Sequence, residues 1–371
     1  MDLLPTPSGP SLTIQGVSVL GGEPSSDVHP SAERSQAGGV AITTPLPLSL
    51  AKGGREILAL RCIEALQRLG VRAFPLDHWD PARPYDLLHI FGSEGSMWDV
   101  ASRAQASGAK VVVSPILVTG KSTLSLRAWA RLDWLVPMRT SFRYRRDLVQ
   151  LADAVIAQTQ TERRVLLSAF GVASERCHVI PNGVDEIFRS PRPEGYPRDG
   201  YVLCVGTIEA RKAQLDVLRA ARRAGKTVVF TGAVRRDDPY GAEFEREIAD
   251  APGVIYDTEL AAGSPALAAA YAAADALVLV SRAEGLPLVA LEAQAAGCPL
   301  ILSDLPQHRE AFPDAVFVRL GDEESLTRAI AAASELRSTR RPVQPPWGWD
   351  QVASAVRRVY ATVAPEVVAA R

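Results

Sequence analysis

Two acidic residues, Glu284 and Glu292, stand eight positions apart across what reads as a strand-to-helix junction. The apolar run Ala276–Ser281 gives way to Arg282, Ala283, Glu284, Gly285, Leu286 and Pro287, and a proline suits the first position of a helix. Glu292 then falls about five residues inside that helix, roughly 7–8 Å along its axis. Carboxylates so spaced could each accept from a pair of hydroxyls at opposite ends of one elongated ligand. The helix N-terminus between them, with the backbone of Gly285, Leu286 and Pro287, offers N–H groups and positive dipole character to a diphosphate. A sugar at one end and a ribose at the other would fit a nucleotide sugar. Either acid alone could equally favour a helix start or sit solvated. Glu292, however, lies among Ala290, Leu291, Ala293 and Ala295, an apolar neighbourhood for a solvated acid.

A second loop follows the apolar run Tyr201–Val205. It contains Gly206, Thr207, Arg211 and Lys212 and leads into a helix expected from about Lys212 to Ala224. Cations at a helix entrance oppose its dipole, so an anion should compensate them. A diphosphate leaving group would do so, and stabilising such developing charge is a main electrostatic demand of group transfer. A solvated basic pair is the plainer alternative.

The first half offers weaker signals. Gly53-Gly54 precedes the first long helix and permits close backbone approach to a ligand. His89 lies near the end of the run DLLHIF, and Ser114-Pro115 follows the next strand. Pro115, Gly120, Lys121 and Ser122 imitate a phosphate-binding loop, but Pro115 stands where the first glycine is required, which argues against a P-loop NTPase. Residues 121–146 carry Lys121, Arg127, Arg131, Arg139, Arg143, Arg145 and Arg146 against Asp133, with Trp129, Trp134, Phe142 and Tyr144 interleaved. Such a segment could meet an anionic membrane surface, bind an anionic acceptor, or simply be a solvated basic face.

The elements that must position these residues alternate. Short, nearly all-apolar strands are separated by helical stretches in two series, one beginning at Gly39 and one near Tyr201, the signature of parallel sheets covered on both faces. The expected organisation is a Pro/Ser/Gly-rich extension over 1–38, doubly wound domains over 39–190 and 191–345, and a terminal amphipathic stretch over 346–371. The 371 residues, 47% apolar, suffice for two cores, and a net charge of −1 argues against nucleic-acid binding by bulk electrostatics. Four scattered cysteines support neither a zinc ribbon nor a disulfide framework. With a start unlike a signal peptide, they are those expected of a cytoplasmic protein.

The segment SRAEGLPLVALEAQAAGCPLILSD resembles the E-x7-E signature of retaining glycosyltransferases of the GT-B fold, family 4. The resemblance implies two Rossmann-like domains facing across a cleft, with the last helix crossing back to the first domain. It implies transfer of a hexose from a nucleoside-diphosphate sugar, UDP- or GDP-linked, to a glycan, lipid-linked or small-molecule acceptor. Glu284 would approach the donor sugar, Glu292 the ribose, and Gly53-Gly54 the phosphates or acceptor across the cleft. VGTIEARKAQLDVLRA is similar to the family's stretch with a basic diphosphate-binding residue, matched by Lys212, with Arg211 beside it and Thr207 at the usual Arg position. His89 and Ser114 would stand on the acceptor side. A second family glycine is replaced by Pro287. No Asp-x-Asp motif occurs, in keeping with a site that needs no metal or other cofactor. A nucleotide-sugar epimerase of the same fold, or a non-catalytic sugar-nucleotide binder, would share this layout.

Overall fold

A computed structural model describes residues 38–368, apart from 48–49, 51–52, 81–82, 119–122, 134–138, 190–195, 197, 250, 259 and 340–345. Residues 1–37 of the extension, and Gly120, Lys121 and Ser122 of the P-loop-like run, therefore lie outside the described residues.

The first lobe is a six-stranded parallel sheet of β1 (Gly39–Thr43), β2 (Ala73–Pro75), β3 (Tyr85–Phe91), β4 (Lys110–Ser114), β5 (Ala154–Ala157) and β6 (Cys177–Val179). Its spatial order is β2-β1-β3-β4-β5-β6. Helices α1 (Gly54–Arg68), α2 (Ser96–Ala106), α3 (Thr123–Leu132), α4 (Ser141–Leu151) and α5 (Gln160–Ala169) connect the strands. The second lobe has β7 (Tyr201–Val205), β8 (Thr227–Thr231), β9 (Val254–Tyr256), β10 (Ala276–Leu279), β11 (Leu300–Ser303) and β12 (Val316–Val318), ordered β12-β11-β10-β7-β8-β9. Its helices are α6 (Gln214–Arg223), α7 (Pro239–Ile248), α8 (Pro265–Ala273), α9 (Leu288–Ala295), α10 (Pro306–Ala311), α11 (Glu323–Ala331) and α12 (Ala333–Thr339). Two more, α13 (Trp349–Val363) and α14 (Pro365–Val368), end the described chain.

Local chemistry sets the helix ends. Thr159, Asp238, Ser264 and Asp322 cap α5, α7, α8 and α11 through their side-chain oxygens. Gly70 and Gly225, at φ +77° and +63°, turn the chain out of α1 and α6 where a side chain would be strained. Each sheet separates two apolar layers. The tiny side chains of α8 and α9 let these helices lie close against the second sheet.

α13 follows the second lobe but packs against α1 and the first sheet: Trp349, Val352, Val356 and Tyr360 share a core with Val40, Ile42 and Leu87. Its start runs beside the other crossing strand of chain, where Val184 N donates to Trp347 O at 2.9 Å. The two crossings approach so closely that a Cβ on Gly183 would lie 2.7 Å from the Trp349 ring. Among the described residues, no helix is long and apolar enough to cross a membrane.

In open parallel sheets, ligands bind where strand order reverses, beyond the strands' carboxyl ends. The reversal lies between β1 and β3 in the first lobe and between β7 and β10 in the second. Gly53 caps and Gly54 opens the helix α1 that follows β1, whereas loops 206–212 and 280–287 follow β7 and β10 directly.

Candidate active site

A cleft of about 570 Å³ opens between these switch points. Its walls include Gly53, Gly54, Arg55, Ser93, Glu94, Ile116, Arg145 and Gln158 from the first lobe. The second lobe contributes Gly206, Thr207, Arg211, Lys212, Glu284, Gly285, Leu286, Pro287 and Glu292. Nearly every residue singled out from the sequence is thus brought to one cavity.

The two basic residues differ in circumstance. Arg211 and Lys212 sit not in α6 but on a 3-10 turn, Ala210–Lys212, that precedes it. Ala213, at φ +53°, makes the corner into the helix, a left-handed conformation that costs a non-glycine residue about 1 kcal/mol. Arg211 is already compensated within the chain. It contacts Glu209 Oε1 at 2.6 Å and Glu284 Oε1 at 3.0 Å, and donates to Ala283 O at 2.7 Å. The reason for expecting an external anion is therefore removed for Arg211, whereas the Lys212 ammonium makes no ion pair among the described residues. Gly206, at φ +134°, holds a backbone conformation that strains any side chain, and Lys212 Nζ lies over it.

Glu284 is buried and fixed. Ser281 Oγ donates to its Oε1 at 2.8 Å, and Gln307 Nε2 donates to its backbone carbonyl at 2.6 Å. Pro287 is the N-cap of α9 rather than its first residue, with φ −73° and ψ 124°. The first N–H groups of α9, from Leu288 and Val289, have no acceptor within the helix and lie at the cleft wall. One turn deeper, Glu292 Oε2 accepts from Tyr271 OH at 3.0 Å. Burial pushes its carboxyl up to about 7, against the lowering effect of the tyrosine; nearby Asp185 pushes it further up and Arg61 opposes.

The first lobe contributes two pieces that sequence spacing did not disclose. Gln158 Oε1 accepts from Leu286 N at 3.3 Å, and Gln158 Nε2 donates to Asn182 Oδ1 at 2.8 Å. Asn182 Nδ2 in turn donates to Leu286 O at 2.7 Å. The turn Pro181-Asn182-Gly183 therefore grips, through Asn182, the loop that carries Glu284. Buried Glu162 accepts from Leu117 N and Gln158 N, each at 2.7 Å, and holds the loops after β4 and β5 together. Ile116 in the first of these sits at φ +50°, a strained setting for a β-branched residue, beside Gly285.

His89 and Ser114 do not reach the cleft. His89 is fully buried, its Nδ1 2.6 Å from Tyr360 OH and its Nε2 2.9 Å from Ser114 Oγ. Burial holds its pKa down to about 3, so the ring is neutral, and the trio ties α13 to β3 and β4. Two cations of the basic segment are answered internally: Asp133 accepts from Thr140 and Arg143, and Arg139 pairs with Asp147 at 3.0 Å. Arg145 lines the cleft instead, and Arg127 and Arg131 remain exposed on α3.

Two family profiles match the two lobes. One, described as Glycosyltransferase Family 4, matches residues 29–187, and the other, Glycosyl transferases group 1, matches residues 199–335. The chain belongs to glycosyltransferase family 4.

Family-4 relatives include a D-inositol 3-phosphate glycosyltransferase of Streptosporangium roseum, 28% identical over 58% of this chain and 56% of the relative. One of Thermomonospora curvata is 30% identical over 56% of this chain and 57% of its own length. The chain thus spans a little over half the length of these curated relatives. Solved structures share the GT-B fold. Anabaena Alr3699/HepE in complex with UDP and glucose superposes with a TM-score of 0.63 at 16% identity, covering 88% of this chain and 100% of that one. Sucrose-phosphate synthase from Thermosynechococcus elongatus gives 0.64 at 17% identity, covering 88% and 96%. Within this family-4 chain, the signature acids lie at the second lobe's switch point, and Lys212, without an ion pair among the described residues, lines the same cavity.

Proposed function

We propose that this family-4 chain moves a hexose from a nucleoside-diphosphate sugar to an acceptor held against its first lobe, with retention at the anomeric carbon. The observation that carries the reading is the gathering of Glu284, Glu292 and the unpaired Lys212 around one cleft. The diphosphate would rest on Lys212 and the first N–H groups of α9. Glu292 would take the ribose hydroxyls and Glu284 those of the sugar, with Arg211 as the residue that holds Glu284 in place.

In the transfer step, the bond from the anomeric carbon to the diphosphate breaks and its electron pair goes to the phosphate oxygen. The acceptor hydroxyl forms the new bond on the same face, and its proton passes to the departing phosphate. Lys212 offsets the charge that appears on the leaving group, the kind of contact whose removal costs on the order of 10²–10³ in rate. No covalent enzyme intermediate is required, and no resident cofactor takes part.

The donor is a UDP- or GDP-sugar, and the neighbour that holds UDP and glucose favours uridine. The acceptor, a glycan, a lipid-linked group or a small metabolite, carries an anion. Arg145 supports this, since among the described residues its Nε reaches only Ser93 O, at 3.4 Å, and burial lowers its pKa while Glu94 opposes. The relatives named for inositol 3-phosphate point the same way. α3 exposes Arg127, Trp129, Arg131 and Leu132, which suits peripheral contact with an anionic membrane from the cytoplasmic side. Co-sedimentation with phosphatidylglycerol vesicles, weakened by Arg127→Glu with Arg131→Glu, would bear this out.

A thermal-shift screen against UDP, GDP, ADP and TDP with their sugars tests the donor reading. One nucleotide should raise the midpoint of the wild type and fail to do so for Lys212→Ala. No shift with any of them would contradict the assignment.

A further inference from the structure

Where the first lobe leaves β5 and enters α5, residues Gln158–Thr161 touch the second lobe on both sides of Glu284. On one side lies the Gln158–Leu286 hydrogen bond already described. On the other, the Glu310 carboxylate on α10 accepts from Gln160 N at 2.5 Å, from Thr161 N at 2.8 Å and from Thr161 Oγ1 at 2.7 Å. Thr159 Oγ1 takes the next amide, that of Glu162, at 3.0 Å. The first three N–H groups of α5 are thus all satisfied, two of them by a residue of the opposite lobe. A carboxylate at that position also gains from the helix dipole and from charge-assisted geometry.

α10 makes this contact consequential. Gln307, three residues before Glu310 on the same short helix, holds the Glu284 carbonyl. His308 between them is fully buried, with Nδ1 3.0 Å from Ser303 O, and fastens α10 to the end of β11. A displacement of Glu310 therefore carries Gln307 with it.

We propose that Glu310 is a positioning residue, an interlobe catch that seats α5 on α10 and through Gln307 sets the orientation of Glu284. The proposal rests on the donor reading above for its consequence in catalysis, but not for the catch itself. Gln160 is exposed, so water can replace Glu310 when the lobes part, and the catch can open and re-form.

The test uses the full chain with Ala106→Cys and Ala331→Cys as spin-label sites, one exposed on each lobe. The native cysteines, Cys62, Cys177, Cys204 and Cys298, are all buried and stay unlabelled. Pulsed-EPR distances are recorded without nucleotide and with UDP, for wild type, Glu310→Ala and Glu310→Gln. The catch predicts one short-distance population in the wild type. Glu310→Ala shifts it to longer, broader distances, and Glu310→Gln, which keeps one acceptor oxygen, falls between. Turnover of UDP-glucose should drop at least tenfold in kcat for Glu310→Ala, with KM and UDP affinity within threefold. Wild-type distances in Glu310→Ala, or a lowered melting temperature with unchanged distances and kcat, overturn the catch. A wild type that neither binds UDP nor turns over UDP-glucose rules out the uridine donor instead, and the distances alone then judge Glu310.

Discussion

Arg211 and Lys212 are neighbours in sequence with opposite duties. Arg211 is spent on Glu209 and Glu284, whereas Lys212 presents an unpaired charge to the cleft. Lys212→Ala should therefore lower both nucleotide affinity and kcat at least tenfold. Arg211→Ala should lower kcat by a similar factor through a misplaced Glu284, with nucleotide affinity within threefold; calorimetry and initial rates on the same preparations separate the two. Glu292 makes a pH prediction. Its folded pKa of about 7 lies above its ordinary 4.5, so between these values the folded chain keeps a proton that the unfolded chain has released. Stability on this account declines as pH rises through that window. Ribose hydroxyls donate best to the ionised acid, so nucleotide affinity should rise with pH through about 7 and lose that component in Glu292→Gln. The two signature acids were legible because one strand, turn and helix carry both. Gln158, Asn182 and Glu310 were not, because their contacts span 128, 104 and 150 residues and leave no local spacing to read.

At the scale of elements, the alternation of short apolar strands with helices disclosed both sheets, and the order within each places the reversals under the expected loops. The helix after the basic loop starts two residues later than expected, at Gln214, since a left-handed alanine is invisible to helix propensity. His89 shows a similar limit: a histidine near a strand end can face a ligand or a core, and here a helix from the far end of the chain decides. α13 is held to the first sheet by that histidine as well as by its apolar face. Tyr360→Phe leaves His89 Nδ1 without its partner and should cost roughly 1–3 kcal/mol, read from denaturant midpoints. Because burial depresses the His89 pKa from 6.5 to about 3, its contribution is present above pH 6.5 and lost as pH falls below it. The fall should be at most about 1.4 kcal/mol per pH unit.

Across the whole molecule, the two lobes are joined by chain crossings that lie against each other and by side chains that converge on Glu284. Asn182 and Gln158 hold Leu286, Gln307 holds the Glu284 carbonyl, and Arg211 holds its carboxylate. A loop so held from both lobes is preorganised for its ligand, which is where differential binding of a transition state originates. Asn182→Ala should accordingly lower kcat more than it weakens nucleotide binding, checked in the same assays. The most direct measurement is a crystal structure with the nucleoside diphosphate that gives the largest thermal shift. The predicted result is a diphosphate within salt-bridge distance of Lys212 Nζ, against the tip of α9, with the ribose hydroxyls on Glu292 and space for a sugar beside Glu284. A nucleotide bound elsewhere, or seated in the cleft with both carboxylates turned away from it, would contradict the account.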